Sequence, residues 1–446
     1  MEKDLTKGNV FKTLMLFTLP ILLANLLQAL YGTVDMIIVG AFSTSECVSA
    51  VSTGTVTMQT IMAIVTGMAV GSTVLIGQSV GKKDLAKATR AYSSSVLLFI
   101  ILGLLMSLII PFLANPIAVI MNAPIEAFDQ TVDYVFVCGI GMIFVVLFNA
   151  ISAIFRGVGD SKTPLILMLI ATVVNIILDL VFVGALQLNA FGAALATILA
   201  QAVSVIASFI ILKKKGLGFA MEKEHNKPHK KEILEVLKYG TPVAAQEALT
   251  GVSFMIILAI LNSFGLIASA GVGIAEKLCG LIFIVPGALM SSISAFSAQN
   301  IAAKEDKRAI DGMKLGMITS VLFGLVMFAI TFFGGFYLSR LFSNDTDVCL
   351  ASASYLKSYS IDCVIVGINF AMMGYLSGKG KTLFVSIQGI LSTFLVRIPV
   401  CYFVSKIPNI SLFWVGFATP AATIFAIIIT TIYMLIIRKQ NTQDNK

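Results

Sequence analysis

The sequence predicts an all-α membrane protein of twelve transmembrane helices, in two parallel six-helix lobes around a central cleft. Two observations predict this fold class: an apolar composition and a repeat of the first half of the chain in the second. Of the 446 residues, 58% are hydrophobic and 12% are charged, and the mean hydropathy is +0.96. A soluble domain carries about a quarter charged residues, so most of this protein's surface must face lipid.

Twelve apolar runs are long enough to cross the hydrocarbon core, which is roughly 30 Å thick and needs about 20 residues per helix. Only helices and closed barrels satisfy their backbone hydrogen bonds in lipid, and such uninterrupted runs exclude the alternating pattern of barrel strands. The predicted spans are 12–38, 48–78, 90–113, 128–155, 163–186, 190–212, 234–262, 268–298, 310–337, 350–377, 383–405 and 412–437.

The distribution of Lys and Arg predicts the orientation. Alternate loops hold most of them, whereas the opposite loops hold little beyond Arg340 and Lys406. Cytoplasmic loops are enriched in these residues, so we expect both termini in the cytoplasm and the chain in a bacterial inner membrane. The net charge of +8 then reflects topology, not nucleic-acid binding. The rich loops contain Lys82, Lys83, Lys87, Arg90, Arg156, Lys162, the cluster at 213–238, Lys304, Lys307, Arg308, Lys314, Lys379 and Lys381.

Four landmarks recur at a nearly constant shift of 221 or 222 residues. They are Leu19-Pro20 with Thr241-Pro242, Gln78 with Gln299, Tyr134 with Tyr355, and Gly157-Val158-Gly159 with Gly378-Lys379-Gly380. Six spans per half return the chain to the side where it started, so the two repeats are parallel. We therefore expect an N-lobe at 1–212, a cytoplasmic linker at 213–231 and a C-lobe at 232–446.

Polar residues inside the spans predict an ion site in the first half. A charge at a helix centre costs about 2.5–3.5 kcal/mol on insertion scales, so it persists mainly where it works or is paired. Asp35 lies in the first span, and Asn175 and Asp179 lie on one face of the fifth. Thr197 in the sixth span adds a hydroxyl. Such oxygens suit a hard monovalent cation such as Na⁺, and the same carboxylates, held away from water, could carry protons.

The repeat indicates that this acidic cluster is one-sided. Asp35 corresponds to Ile257, and Asp179 to about Ile398, so the second half has no matching acids. A purely structural role would more readily be shared by both lobes, which favours ion coupling. The alternative is a polar knot that locks helices together.

Pro20 and Pro242 interrupt the backbone hydrogen bonds of the opening helix of each lobe. We interpret them as conformational hinges through which ion binding reshapes the cleft. A static kink, which prolines also cause, is the alternative.

Three residues are candidates for the substrate cleft: Gln28, Tyr31 and Glu247. Glu247 lies one turn past Pro242, where its carboxylate would attract cationic substrates, or else it is a paired acid at a helix end.

Five other intramembrane charges have structural interpretations. We expect Arg397 to anchor the eleventh helix. Glu276 and Lys277 are candidates either for pairing with each other or for snorkelling to the interface, and Lys357 and Asp362 are candidates for structural pairing.

Several reaction classes are excluded. The chain has no GxxxxGK[ST] motif for direct use of ATP, and no Ser/His/Asp or metal-binding constellation lies within the spans. Its six Cys are far apart and read as small hydrophobes rather than as a disulfide framework. We therefore expect no enzyme activity and no cofactor beyond Na⁺ or H⁺ as the coupling ion.

Several stretches together resemble the multidrug and toxic compound extrusion (MATE) family. They are LPILLANLLQALYGTVDMIIVG at 19–40, GQSVGKKD at 77–84, FRGVGDSKTPLILMLIATVVNIILDLVFV at 155–183, AEKLCGLIFIVPGAL at 275–289 and RIP at 397–399. The resemblance implies an antiporter, driven by sodium or protons, that expels small organic cations or amphiphilic drugs across the bilayer. It places coupling on Pro20, Asp35, Asn175, Asp179 and Thr197.

Two other functions remain open. A flippase for lipid-linked saccharides would need a basic cavity and often has fourteen spans, and an uncoupled channel would leave the acidic cluster unexplained. We take a monomer as the expected state.

Overall fold

The structure is a computed structural model that describes residues 4–217 and 225–443, and every regular element in these ranges is helical. Two of the helical segments, at 180–185 and 392–397, are π-helices, and a short 3₁₀ turn lies at 125–127. The α-helices are α1 Val10–Phe42, α2 Ser45–Gly81, α3 Leu85–Phe112, α4 Ala114–Ile120, α5 Phe128–Ile140, α6 Met142–Val158, α7 Lys162–Asp179, α8 Asn189–Lys215, α9 Lys230–Asn262, α10 Leu266–Ile282, α11 Ile284–Ala302, α12 Asp306–Ser339, α13 Thr346–Gly378, α14 Thr382–Leu391, α15 Ile398–Ser405, α16 Leu412–Gly416 and α17 Ala418–Gln443.

The twelve predicted spans are confirmed within the described part of the chain. Eleven helical stretches are long and apolar enough to cross a membrane, and one bent pair of helices makes the twelfth. The α7 helix and the π-helix after it form one span, and α14, its π-helix and α15 form another. The predicted boundaries agree with these helices to within a few residues at most ends.

The fourth span is not the single helix that its sequence predicts. It breaks between Ile140 and Met142, and the two parts bend by 51°. Gly141 lies at the break, and a Cβ atom there would collide with the side chain of Ile198 on α8. The absence of a side chain therefore lets α8 pack directly against the break. Hydropathy is continuous across this point, so the apolar pattern gave no sign of it.

The chain divides into two compact units, each with its own core. Unit 1 comprises Met1–Ala244 and Ala298–Glu305, and unit 2 comprises Ala245–Ser297 and Asp306–Lys446. In unit 1, α2 packs on α5 and α6, and α7 packs on α1 and α8. In unit 2, α13 packs on α10, α12 and α17. The lobe and linker boundaries drawn from the sequence stay a prediction.

The repeat is visible as one matched contact in each unit. In unit 1 the Tyr134 hydroxyl lies 3.2 Å from Oγ1 of Thr55. In unit 2 the Tyr355 hydroxyl donates to Oε1 of Glu276 at 3.0 Å. Both partners are shifted by 221 residues between the halves. A hydroxyl of the first half is therefore replaced by a carboxylate at the matching position of the second.

The end of the predicted linker and the first turns of α9 are bonded to α3. Two ion pairs and two hydrogen bonds join these segments within unit 1. They are Lys87–Glu235 at 2.8 Å, Arg90–Glu232 at 3.0 Å, Ser93–Asn226 at 2.6 Å and the His229 N–H to Ser94 at 2.9 Å. The end of the predicted linker is thus fixed to the helix bundle, whereas its middle, 218–224, lies outside the described residues.

Asp160 closes the hairpin between α7 and α8. Its Oδ1 accepts the N–H groups of Lys162 and Thr163, both at 3.0 Å, and its Oδ2 accepts Lys215 Nζ at 2.6 Å. Burial alone would raise the pKa of this carboxyl, but the hydrogen bonds from Lys215 and Thr163 and the Lys215 charge outweigh it and lower the pKa. A carboxylate at a helix N-terminus joined to a cation at a helix C-terminus also complements both helix dipoles.

We expect Asp160→Ala to lower the free energy of unfolding by about 1–2 kcal/mol, because both the cap and the ion pair are lost. Asp345→Ala is the matched control, since exposed Asp345 caps α13 through Asp347 and Val348 without a cation. Thermal unfolding in detergent should show the larger loss for Asp160→Ala, and equal losses would contradict the assignment. Because the pKa of Asp160 is lowered, its contribution should be intact at pH 5 and vanish only as pH falls below the ordinary value of 3.8.

Candidate functional site

Two buried carboxyl groups form the centre of the candidate site in unit 1. Asp35 on α1 is 3% exposed and Asp179 at the end of α7 is 0% exposed. The two side chains lie within hydrogen-bonding reach of each other. The structure thus brings together two acids that are 144 positions apart in the sequence.

Helical spacing explains how this pair is assembled. Tyr31 and Asp35 are four residues apart on α1, and Asn175 and Asp179 are four apart on α7, so each pair shares one helix face. Because α1 packs directly on α7, the two faces meet. Thr197 on α8 lies beside Tyr31 and completes the group.

The polar atoms of the site are incompletely hydrogen-bonded. Five buried oxygens have no hydrogen-bond partner, and the amide nitrogen of Asn175 has none either. The oxygens are Tyr31 Oη, Asp35 Oδ1, Asp179 Oδ1, Asp179 Oδ2 and Thr197 Oγ1. Ionised carboxylates only accept hydrogen bonds, so the two acids cannot satisfy each other. A proton shared between them, or a small cation coordinated by these oxygens, would remove that deficit.

The number of acids limits what the site can hold. The described residues contain no group of three His, Cys, Asp or Glu side chains placed to hold a metal ion. Carboxylate and hydroxyl oxygens are hard ligands, whereas zinc and other transition metals favour His and Cys ligands. The oxygens of this group therefore suit a proton or a hard cation such as Na⁺ better than a transition metal.

A π-helix begins directly after Asp179. The segment Leu180–Ala185 leaves the regular α-helical hydrogen-bond pattern, with Asp179 at its N-terminal edge. In unit 2 the fifth span contains a second π-helix, Ser392–Arg397, which ends on a buried charge. Such segments are frequent at functional sites, and nothing in the apolar pattern of these spans revealed them.

Some residues around the acid pair were not predicted. Tyr134 and Cys138 on α5 are buried and close enough to Asp35 for electrostatic interaction. Gln201 lies one turn beyond Thr197 on α8, and its buried Oε1 has no partner. The i, i+4 relation to Thr197 was a signal for Gln201. Tyr134 had appeared only as a landmark of the repeat.

The remaining predicted residues lie elsewhere. Pro20 is buried within α1, and Pro242 lies within α9, both inside continuous helices. Gln28 is exposed on α1, and its predicted place in the substrate cleft stays a prediction. Glu247 is half-buried on the part of α9 that belongs to unit 2.

Two expected pairings in unit 2 are wrong. Glu276 pairs with Arg397, at 3.9 Å between Oε1 and Nη2, whereas its neighbour Lys277 is exposed. Successive residues on a helix do not face each other, which explains the failure of the Glu276–Lys277 pairing. Asp362 bonds to Thr423, and Lys357 places its ammonium 6.0 Å from the ring centre of Phe332.

Comparison with known proteins identifies the family. The MatE family model matches residues 20–181 and again 242–403, which confirms the internal repeat. The probable multidrug resistance protein YpnP of Bacillus subtilis is 27% identical, over 89% of this chain and 88% of the relative. The multidrug export protein MepA of Staphylococcus haemolyticus is 27% identical, over 86% and 85%.

Solved structures share the whole fold. One, described as the outward-facing conformation of a multidrug resistance MATE family transporter, has a TM-score of 0.91 at 18% identity and covers 99% of this chain and 100% of its own. Another, a MOP superfamily transporter from Pyrococcus furiosus described as having a binding pocket of reverse polarity, has a TM-score of 0.90 at 18% identity, over 98% and 99%. The chain therefore belongs to the MATE family, and it is a multi-pass membrane transporter with the twelve-helix MATE fold, not an enzyme.

Proposed function

We propose that this protein is an antiporter that exports organic cations and amphiphilic drugs, using the inward movement of Na⁺ or H⁺. The observation that carries the proposal is the buried pair Asp35 and Asp179, in which Asp35 Oδ1 and both carboxylate oxygens of Asp179 have no hydrogen-bond partner. The names of the relatives, a multidrug export protein and a probable multidrug resistance protein, support the class of cargo.

The acid pair supplies the coupling. With no ion bound, two carboxylates in a low-dielectric setting repel each other, and their buried oxygens lack the hydrogen bonds that water would give. Uptake of one positive charge relieves both costs. The arrangement of the surrounding helices that is most stable therefore differs between the ion-bound and the ion-free protein. Alternating access uses this difference in free energy.

The first helix transmits the change. Pro20 has no N–H, so the carbonyl of Leu16 loses its helical partner and α1 can flex there. Asp35 lies 15 residues further along, a distance of about 22 Å in an α-helix. The hinge is therefore remote from the ion, and the intervening length of α1 acts as a lever. Pro242 gives α9 the same capacity in the second repeat.

The proposal includes the location of the protein, its orientation in the membrane and its oligomeric state. The protein functions in the bacterial inner membrane with both termini in the cytoplasm, as the Lys and Arg bias of alternate loops supports. It works as a monomer. Acidic side chains attract the cationic cargo, and Gln28, Tyr31 and Glu247 are the proposed residues of the substrate cleft.

We expect Asp35→Asn and Asp179→Asn each to reduce ion-driven efflux of a fluorescent cation from proteoliposomes to background, since each removes one of the two charges that bind the coupling ion. Asp133→Asn is the control, because Asp133 is an exposed acid on α5. Imposing a sodium gradient and a proton gradient separately on the wild-type protein identifies the ion. Full efflux by both variants would end the coupling assignment.

Ion binding should also be visible without transport. A ligand that binds only the folded protein stabilises it by about 2.7 kcal/mol at a concentration 100 times its Kd. If Na⁺ is the coupling ion, replacing choline chloride with NaCl should raise the melting temperature of the purified protein, and Thr197→Val should weaken this effect by removing one oxygen. If H⁺ is the ion, acidification protects instead and NaCl does not. Protection by neither ion, or the same protection in Asp35→Asn, would contradict the site.

A further inference from the structure

A second polar group lies in unit 2, and the proposed coupling does not use it. The Arg397 cluster consists of Glu276 on α10, Tyr355 and Asp362 on α13, Arg397 at the end of its π-helix and Thr419 on α17. Arg397 is 8% exposed and Asp362 is 1% exposed. Charges this deeply buried require partners, so the quality of their contacts is informative.

Arg397 is incompletely bonded. Its Nε donates to Thr419 Oγ1 at 3.1 Å, and its guanidinium carbon lies 4.5 Å from the ring centre of Phe254. The separation of Nη2 from Glu276 Oε1, 3.9 Å, is too long for a hydrogen bond, and Nη2 has no hydrogen-bond partner. A guanidinium with five N–H donors is therefore held mainly by charge and by an aromatic face.

Asp362 has the complementary deficit. The Thr423 hydroxyl bonds to its carboxyl group, but Oδ1 is buried without a partner. Arg397 lies near enough for its charge to act on Asp362 as well as on Glu276. The cluster thus holds two acids and one cation, with an unused donor on the cation and an unused acceptor on the deeper acid.

The approach to Glu276 suits an organic cation. The Glu276 side chain is 28% exposed, against 9% for Arg397, so Glu276 is the more accessible partner. Tyr355 donates to it, and the Tyr355 ring lies 5.7 Å from that of Tyr359, which lies 5.8 Å from that of Phe283. A carboxylate beside aromatic rings is the chemistry that recognises quaternary and aromatic cations. The guanidinium of Arg397 is the positive charge that now lies beside Glu276, at 3.9 Å from its Oε1.

We propose that Glu276 receives one positive charge of an organic cation, and that Arg397 then moves its interaction from Glu276 to the free Oδ1 of Asp362. This inference rests on the proposed export of organic cations. Before the exchange, Arg397 is the positive charge shared by Glu276 and Asp362. After the exchange, Arg397 pairs with Asp362 and the organic cation pairs with Glu276. Arg397 therefore determines how much charge the cluster accepts: one external positive charge in its presence, and two in its absence.

The test compares a monocation with a dication. Binding of tetraphenylphosphonium and of pentamidine to the purified protein is measured by calorimetry, with no ion gradient. We expect Arg397→Gln to shift the affinity ratio toward pentamidine by about tenfold, because a second acid becomes free. Arg397→Lys should keep the wild-type ratio, since it keeps the charge. Arg340→Gln is the control, because Arg340 is an exposed arginine of unit 2 that bonds to Asn344 and Thr346.

The two acids provide the second half of the test. Glu276→Gln should weaken tetraphenylphosphonium binding about tenfold, because it removes the acid that receives the cation. Asp362→Asn should weaken binding by a smaller factor, because Glu276 is still present but Arg397 has no second acid to which it can move. An unchanged ratio in a folded Arg397→Gln protein overturns the proposal. If that variant does not fold, unchanged tetraphenylphosphonium affinity in Glu276→Gln overturns it. If the wild-type protein exports tetraphenylphosphonium but the Arg397 and Glu276 variants bind it normally, only this inference is wrong. If the wild-type protein neither binds nor exports tetraphenylphosphonium, the proposed function is wrong as well.

Discussion

The constraint on which the rest of unit 1 depends is the burial of two acids against each other. Three carboxylate oxygens of Asp35 and Asp179 are buried without a hydrogen-bond partner, and the hydrocarbon core of the bilayer supplies no water to bond to them. The surrounding helices must tolerate that cost when the pair is empty. The Tyr31 and Thr197 hydroxyls and the Asn175 amide near the pair are polar but uncharged. In the proposed coupling, the uptake of positive charge by the two acids changes the state of this site.

The two halves of the chain show how a duplicated architecture can be given different chemistry. The tyrosine that meets Thr55 in unit 1 meets Glu276 in unit 2, and Thr197 and Thr419 occupy matching places beside Tyr31 and Arg397. The scaffold of hydroxyl groups is shared, whereas the charges are not. The acid pair of unit 1 consists of two carboxyl groups, whereas the Arg397 cluster of unit 2 combines two acids with an arginine. The two halves thus place different charged groups beside matching Tyr and Thr residues.

The sequence predicted the spans because lipid imposes a length and an apolarity that are read directly from composition. It also indicated Asp35 and Asp179, because an unpaired carboxylate in an apolar run is costly enough to stand out. Contacts such as Glu276 with Arg397 could not be read, since the two residues are far apart in the chain and no local spacing relates them. The π-helices and the 51° bend were missed for a related reason: each is set by how neighbouring helices pack, while the hydropathy of the span is unchanged.

The break in the fourth span has a consequence for the acid pair. Tyr134 and Cys138, which lie near Asp35, are carried on α5, a segment of 13 residues, and the axis of α5 departs from that of α6 at Gly141. The tilt of these two side chains is accordingly set by a backbone position at which any Cβ would strike Ile198. The placement of Tyr134 and Cys138 relative to Asp35 therefore depends on a glycine that lies at the bend and not among the acids.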